Sequence, residues 1–176
     1  MAFTPEDGTQ VVGANAYLTV AAFKAHHTDR GRDYATYTDA QIQAAIVKAT
    51  DYLDKRFGRR FRGLQASTTQ GLEWPRNSAL DDNGRLITML PTALLKAAAE
   101  YAYVALTLGT ELAPVGTNVA GKVVEEKVGP ISTKYGQGST PMTTTGNMIE
   151  NLPEYPEADL WVEQLLEDAT RRLIRG

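Results

Sequence analysis

The segment at residues 38–53 constrains the fold most, because it carries a complete amphipathic helix pattern. Thr38 and Gln41 have the spacing of a capping box, in which each side chain accepts a hydrogen bond from a backbone N–H at the start of a helix. Apolar residues then recur at the spacing of one buried helical face, at Ile42, Ala45, Ile46, Ala49 and Leu53. Gly58 is expected to end the helix. A helix with one apolar side must pack against other elements, so this segment predicts a helical core.

Two further segments predict helices on either side of this one in the sequence. Thr19 is placed to cap a short helix that ends before Gly31. Pro91 suits the first turn of another helix, and Gly109 suits its C-terminal cap. Apolar residues cover much of the circumference between Pro91 and Gly109, so this helix is expected to be central.

A fourth helix is predicted over residues 156–175. Its acidic residues, Glu157 and Asp159, lie near the start, and arginines lie near the end, which is the polarity that the helix dipole favours. The expected core stripe consists of Val162, Leu165, Leu166, Ala169 and Leu173.

The region between the last two helices changes character. Residues 122–135 are rich in β-branched residues around a Val-Gly-Pro turn and predict a two-stranded hairpin. Residues 136–153 are small, polar and unpatterned, which indicates a long loop or arm. Residues 63–90 are expected to be mostly irregular, with a turn at residues 81–84.

These elements predict a mainly α fold: a four-helix bundle-like core with a small β-hairpin and a long extended loop or arm. The 176 residues suit a single domain. Within it, we expect a helical core with the hairpin over residues 14–135, a flexible loop or arm over 136–153 and a C-terminal helix over 154–176.

Composition and motifs argue against an enzyme and against a metal site. The chain has no cysteine, which excludes thiolate metal ligands, and its formal net charge of -3 argues against a protein that coats nucleic acid with its whole surface. His26 and His27 are adjacent, about 100° apart around a helix, so they are not expected to hold one metal ion together. No apolar run approaches the roughly 18 residues of a membrane span. We therefore predict no catalytic residue, no cofactor, no metal and no membrane partner.

A basic cluster follows the amphipathic helix. Arg56, Arg59, Arg60 and Arg62 are interleaved with Phe57 and Phe61. Guanidinium groups can pair with phosphates and aromatic faces can stack on unpaired bases, so the four arginines are candidate contacts to DNA or to a partner protein. Alternatively, the phenylalanines anchor the helix end in the core, and the arginines pair with acids such as Asp51, Asp54 and Glu73. The sequence leaves both alternatives open.

A second set of residues is a candidate subunit interface. The hairpin could add strands to a neighbouring subunit, and tryptophan beside a core stripe is typical of interface centres. The candidates are Val123, Val124, Val128, Ile131 and Trp161.

Several short motifs together resemble a known family. They occur in order at residues 14–20, 49–54 (Ala-Thr-Asp-Tyr-Leu-Asp), 72–76 (Leu-Glu-Trp-Pro-Arg), 82–87, 126–130 and 155–160. Over residues 14–174 the chain resembles the phage and prophage proteins labelled DnaT-like single-stranded-DNA-binding proteins. The resemblance implies a structural module of tailed phages, similar to head–tail connector or adaptor proteins, which form a twelve-fold ring under the portal.

The sequence thus leads to two functional hypotheses. The first is a head–tail connector of the virion, made in the host cytoplasm, that forms a homo-oligomeric, dodecameric ring. Its partners would be the portal protein, a tail-completion or neck protein, and double-stranded genomic DNA that passes through the ring without sequence-specific contacts. The alternative is a single-stranded-DNA-binding replication accessory protein.

Overall fold

The structure of the protein is a computed structural model that describes residues 2–87, 89–109, 111–113, 125–128, 131–134 and 153–167. It divides the chain into two compact units. One unit combines residues 1–112 with residues 154–176, and the other comprises residues 113–153.

The described residues contain four α-helices, as predicted. They are α1 (Val20–Thr28), α2 (Asp39–Phe57), α3 (Thr92–Leu108) and α4 (Pro156–Glu163), and a 3-10 helix (Gly58–Arg60) directly follows α2. The mainly α fold class is confirmed. Within the described residues, no helix is both long and apolar enough to cross a bilayer.

Helix α2 forms as its sequence predicts. The Thr38 hydroxyl accepts a hydrogen bond from the Gln41 N–H at 3.3 Å, and the Gln41 side-chain oxygen accepts one from the Thr38 N–H at 2.8 Å. All five residues of the predicted face are buried, at 0–4% exposure. The helix ends at Phe57, and Gly58 is its C-cap.

Helix α3 is central to the first unit, because it contacts α1, α2 and α4. Ala97, Ala98 and Ala102 are fully buried along it, and their small side chains let neighbouring helices approach closely. Pro91 is predicted to lie in the first turn of the helix, but it is the N-cap. The helix therefore begins at Thr92, one residue later than predicted. Gly109 ends the helix in the left-handed conformation, at φ 63°.

Helix α4 is shorter than predicted. It ends at Glu163, and a turn follows in which the Leu165 N–H bonds to the Val162 carbonyl oxygen at 2.8 Å. The helix stops because the next residues pair with another segment: Leu166 forms an antiparallel bridge with Phe61. Val162, Leu165 and Leu166 are buried as predicted. Ala169, Leu173 and the last arginines lie outside the described residues.

Two small antiparallel ribbons complete the described fold. In the first unit, β1 (Leu64–Gln65) pairs with β2 (Arg76–Asn77), within the region predicted to be mostly irregular. In the second unit, β3 (Glu125–Val128) pairs with β4 (Ile131–Lys134), which confirms the hairpin. The predicted arm lies outside the described residues, apart from its last residue, Pro153.

Candidate nucleic-acid interface

The four arginines of the basic cluster fall into two groups in the structure. Arg56 belongs to the first group, which is held within the fold. Its Nη1 donates a hydrogen bond to the Tyr52 hydroxyl at 2.5 Å and lies 3.4 Å from Asp159 Oδ1 on α4. Its guanidinium also lies over the Phe57 ring, 4.9 Å from the centroid. Arg56 therefore connects the end of α2 to α4.

Arg62 also lies within the fold. Its Nε donates to the Leu166 carbonyl oxygen at 2.8 Å, and its Nη1 donates to the Leu80 carbonyl oxygen at 2.9 Å. Its Nη2 donates to Asp82 Oδ1 at 2.6 Å. The side chain is 11% exposed, and each of its three guanidinium nitrogens donates a hydrogen bond to a protein group. Arg62 links three separate segments of the chain.

Arg59 and Arg60 form the second group. Both are exposed on the 3-10 helix. Among the residues that the structure describes, neither side chain has a hydrogen-bonding or acidic partner. We call these two residues the arginine pair. It is a localised positive charge on a chain whose overall charge is negative.

Phe57 and Phe61 are buried, at 5% and 2% exposure. The Phe61 ring contacts the Trp74 ring edge-on, with the centroids 5.9 Å apart. These two rings are core anchors and offer no face to a nucleic-acid base. The arginines held in the fold pair with Asp82 and Asp159, which the sequence pattern did not predict as their partners.

The motif at residues 72–76 holds in position the segment that carries the arginine pair. Arg76 Nε donates to the Arg62 carbonyl oxygen at 3.0 Å, and its Nη2 donates to the Gly63 carbonyl oxygen at 2.8 Å. Its Nη1 lies 2.7 Å from Glu73 Oε2. Because Arg76 binds backbone atoms directly after the 3-10 helix, it fixes the position of that segment.

The motif at residues 49–54 supports the same region through a buried carboxyl group. Asp54 Oδ1 accepts a hydrogen bond from the Tyr17 hydroxyl at 2.5 Å, and Asp54 Oδ2 accepts one from the Glu73 N–H at 3.1 Å. The Tyr17 hydroxyl oxygen in turn accepts a hydrogen bond from the backbone N–H of Trp74 at 3.2 Å. Burial raises the pKa of Asp54 to about 7, although both hydrogen bonds act to lower it. Sequence reasoning missed this network, because Tyr17 lies 37 residues from Asp54.

The histidines lie closer together than their 100° separation around a helix suggests. The His26 and His27 ring centroids are 4.8 Å apart, and His26 Nε2 lies 2.7 Å from Glu100 Oε1. The three side chains have candidate ligand atoms within 4.8 Å of one another. However, Arg32 also pairs with Glu100, and Arg30 Nε lies 3.7 Å from it. Two guanidinium groups already balance that carboxylate, so the cluster is better suited to joining α1 to α3 than to holding a cation.

The candidate subunit interface is described only in part. Trp161 is half-buried, and Lys96 Nζ lies 4.1 Å from its ring centroid. Val128 and Ile131 are paired in the backbone register of the hairpin. Val123 and Val124 lie outside the described residues. The subunit interface stays a prediction.

Comparison with known proteins gives one result. A model of the family described as "Putative DnaT-like ssDNA binding protein" matches residues 1–176. No curated protein and no solved structure matches the chain.

The family match shows that the connector hypothesis is wrong. The family description names single-stranded-DNA binding, which is the alternative function, and no finding supports similarity to connector proteins. The family description also gives no support for a dodecameric ring, for portal or neck partners, or for a DNA duplex that passes through the ring. The predicted virion location depended on the same hypothesis and stays a prediction. Because the match extends over the whole chain, the protein belongs to the DnaT-like single-stranded-DNA-binding family.

Proposed function

We propose that the protein binds single-stranded DNA through the arginine pair, Arg59 and Arg60, without catalysing a reaction. The observation that carries the proposal is the exposure of two arginines that lack an acidic partner in the described part of the chain. The family description supplies the ligand class.

The surroundings favour contact with phosphates. A guanidinium group can donate two parallel hydrogen bonds to a phosphate, and such charge-assisted bonds are stronger than neutral ones. Phe57 and Phe61 are buried and cannot stack on bases. Phosphate contacts position a protein on DNA but carry no sequence information, so we expect binding that is insensitive to sequence.

The segment that carries the pair is held in place before DNA binds. Arg76 bonds to the backbone at Arg62 and Gly63, and the Arg60 carbonyl oxygen accepts a hydrogen bond from the Glu167 N–H at 2.8 Å. A site that is fixed in advance loses less conformational entropy on binding.

The proposal is tested by the fluorescence anisotropy of a labelled oligothymidine at low salt. The double variant Arg59→Ala/Arg60→Ala should bind at least about tenfold more weakly, because a hydrogen bond to a charged group contributes roughly 1.5–3 kcal/mol. Both side chains are exposed, so the thermal stability of the variant should match that of the wild type.

A matched control removes two positive charges at other positions of the chain. Lys24 and Lys48 are partly exposed and pair with Asp39 and Glu111 at 2.6 Å and 2.7 Å. The variant Lys24→Ala/Lys48→Ala should keep nearly the wild-type affinity. Loss of affinity in the control equal to that of the arginine variant would show that only net charge matters. Absence of wild-type binding at low salt would refute the proposed function.

A further inference from the structure

An open cleft lies in the first unit beside the short ribbon of β1 and β2. Its volume is about 200 Å³. Leu86 and Met89 form an apolar part of its wall, and these residues are 59% and 57% exposed. Arg76 and Asn77 of β2 also line it. Pockets for drug-sized ligands measure roughly 300–1,000 Å³, so this cleft suits a smaller group.

The backbone around this cleft is strained. Among the described residues, three that are not glycine have a positive φ: Gln10 at 67°, Ser78 at 57° and Met89 at 55°. All three line the cleft. A positive φ is unfavourable for a residue with a side chain, and such residues cluster at binding sites, where the surrounding structure holds them in place. The cleft is therefore a candidate binding site.

The cleft also offers hydrogen-bonding groups. Within the part of the chain that the structure describes, no group bonds to the side-chain amides of Gln10 and Asn77, and both residues are exposed. Each amide can donate and accept hydrogen bonds. A nucleobase has donors and acceptors along its edge and a π-face on which apolar groups can lie. Amides beside exposed apolar side chains thus match both the edge and the face of an unpaired base.

Arg76 connects this cleft to the arginine pair. It lines the cleft, and its Nη2 donates to the Gly63 carbonyl oxygen at 2.8 Å, directly after the segment that carries the pair. Leu64 lies four residues after Arg60 and pairs with Asn77 across the ribbon. The Cα atoms of Arg60 and Asn77 are therefore at most about 20 Å apart. A stacked strand advances about 3.4 Å per nucleotide, so about six nucleotides reach from the arginine pair to the cleft.

We infer that the cleft receives one base of the single strand whose phosphates bind the arginine pair. Leu86 and Met89 contact the face of the base, and the amides of Gln10 and Asn77 bond to its edge. This inference rests on the proposed function. Every base has a π-face, so the cleft adds affinity with little preference for sequence.

The inference is tested with two strands of equal length, an oligothymidine and an abasic strand, in the anisotropy assay at low salt. Both strands carry the same phosphates, but only the first has bases. Burial of roughly 50 Å² of apolar surface corresponds to about an eightfold change in affinity, so the wild type should prefer oligothymidine by about that factor. Arg59→Ala/Arg60→Ala should weaken the binding of both strands alike.

These outcomes separate the two proposals. If the wild type binds both strands equally and Arg59→Ala/Arg60→Ala weakens both, the base site is refuted and the proposed function remains. If the wild type binds neither strand, both proposals fail.

The variant Leu86→Gln/Met89→Gln assigns the preference to the cleft. It removes the apolar part of the wall and should reduce the eightfold preference to less than about twofold. The matched control is Leu108→Gln/Leu160→Gln, which replaces two residues of α3 and α4 that are 58% and 62% exposed and do not line the cleft. The control should keep the wild-type preference. A preference that persists in the cleft variant, or that falls equally in the control, would overturn the inference.

The amides need a separate variant, Gln10→Ala/Asn77→Ala. It should bind oligothymidine more weakly than the wild type does but should keep the wild-type affinity for the abasic strand, because that strand has no base edge. An equal loss of affinity for the two strands would contradict the assigned contact of these amides with a base.

Discussion

Replacing Tyr17 with phenylalanine tests the buried network beneath the arginine pair. The substitution removes one hydroxyl, which donates a hydrogen bond to Asp54 Oδ1 at 2.5 Å and accepts one from the backbone N–H of Trp74 at 3.2 Å. Tyr17 is 1% exposed, so water does not replace the lost group. A hydrogen bond to a charged group contributes about 1.5–3 kcal/mol, and a buried N–H left without a partner costs about 1–3 kcal/mol. We expect Tyr17→Phe to lower the free energy of unfolding by about 3 kcal/mol at pH 8.

The pH dependence of this loss follows from Asp54. Its pKa is raised from 3.8 to about 7 in the folded protein, so the folded state holds a proton that the unfolded state releases between these values. The stability contribution of Asp54 is therefore largest below about pH 4 and falls as the pH rises to 7. In Tyr17→Phe the carboxylate loses a hydrogen bond that lowers its pKa, so the decline continues to higher pH. The loss at pH 5, where Asp54 is neutral, should be about 1 kcal/mol smaller than at pH 8.

Urea unfolding followed by circular dichroism at both pH values measures these differences. Tyr34→Phe is the control, because its hydroxyl lies at the surface and bonds to the Thr28 hydroxyl oxygen at 2.6 Å. That variant should stay within about 0.5 kcal/mol of the wild type at either pH. A loss for Tyr17→Phe that matches the control, or that is equal at the two pH values, would refute the assigned network.

Two further substitutions test the backbone and the histidine cluster. At Gly63, where φ is +76°, an added Cβ atom would clash with the Asn77 carbonyl oxygen. Gly84 has the same φ, but no atom lies within 4 Å of an added Cβ. Gly63→Ala should thus lower the free energy of unfolding by at least about 2 kcal/mol more than Gly84→Ala, and equal losses would contradict the close approach. His27 has its pKa lowered from 6.5 to about 4 by burial, so its stability contribution is complete above pH 6.5 and is lost as the pH falls towards 4. The stability difference between wild type and His27→Gln should shrink by up to about 3 kcal/mol between pH 7 and pH 4 in urea titrations; a constant difference would contradict the buried neutral imidazole.

Sequence patterns predicted those features of the helices that depend only on neighbouring residues. The capping box at Thr38, the apolar spacing of α2 and the glycine after α3 each act within a few residues, so their outcomes could be predicted without knowledge of the tertiary fold. The end of α4 could not. Residues 164–167 keep an apolar pattern that suits a helix, but pairing with residues 60–62 replaces the helical hydrogen bonds. That competition depends on a contact across about 100 residues of sequence.

The basic cluster also shows that local sequence does not predict tertiary contacts. Four arginines within seven residues look equivalent in the sequence. Tertiary contacts make them different. Arg56 pairs with Asp159 and Arg62 pairs with Asp82, whereas the arginine pair is exposed. The motifs at residues 49–54 and 72–76 are likewise structural supports of that surface, as the bonds of Asp54 and Arg76 show.

The salt dependence of single-stranded-DNA binding tests the central claim most directly. If Arg59 and Arg60 each neutralise a phosphate, the slope of log K against log salt should be shallower by about 1.4 in Arg59→Ala/Arg60→Ala than in the wild type. Equal slopes for the two proteins would contradict the assignment of the arginine pair as a DNA contact.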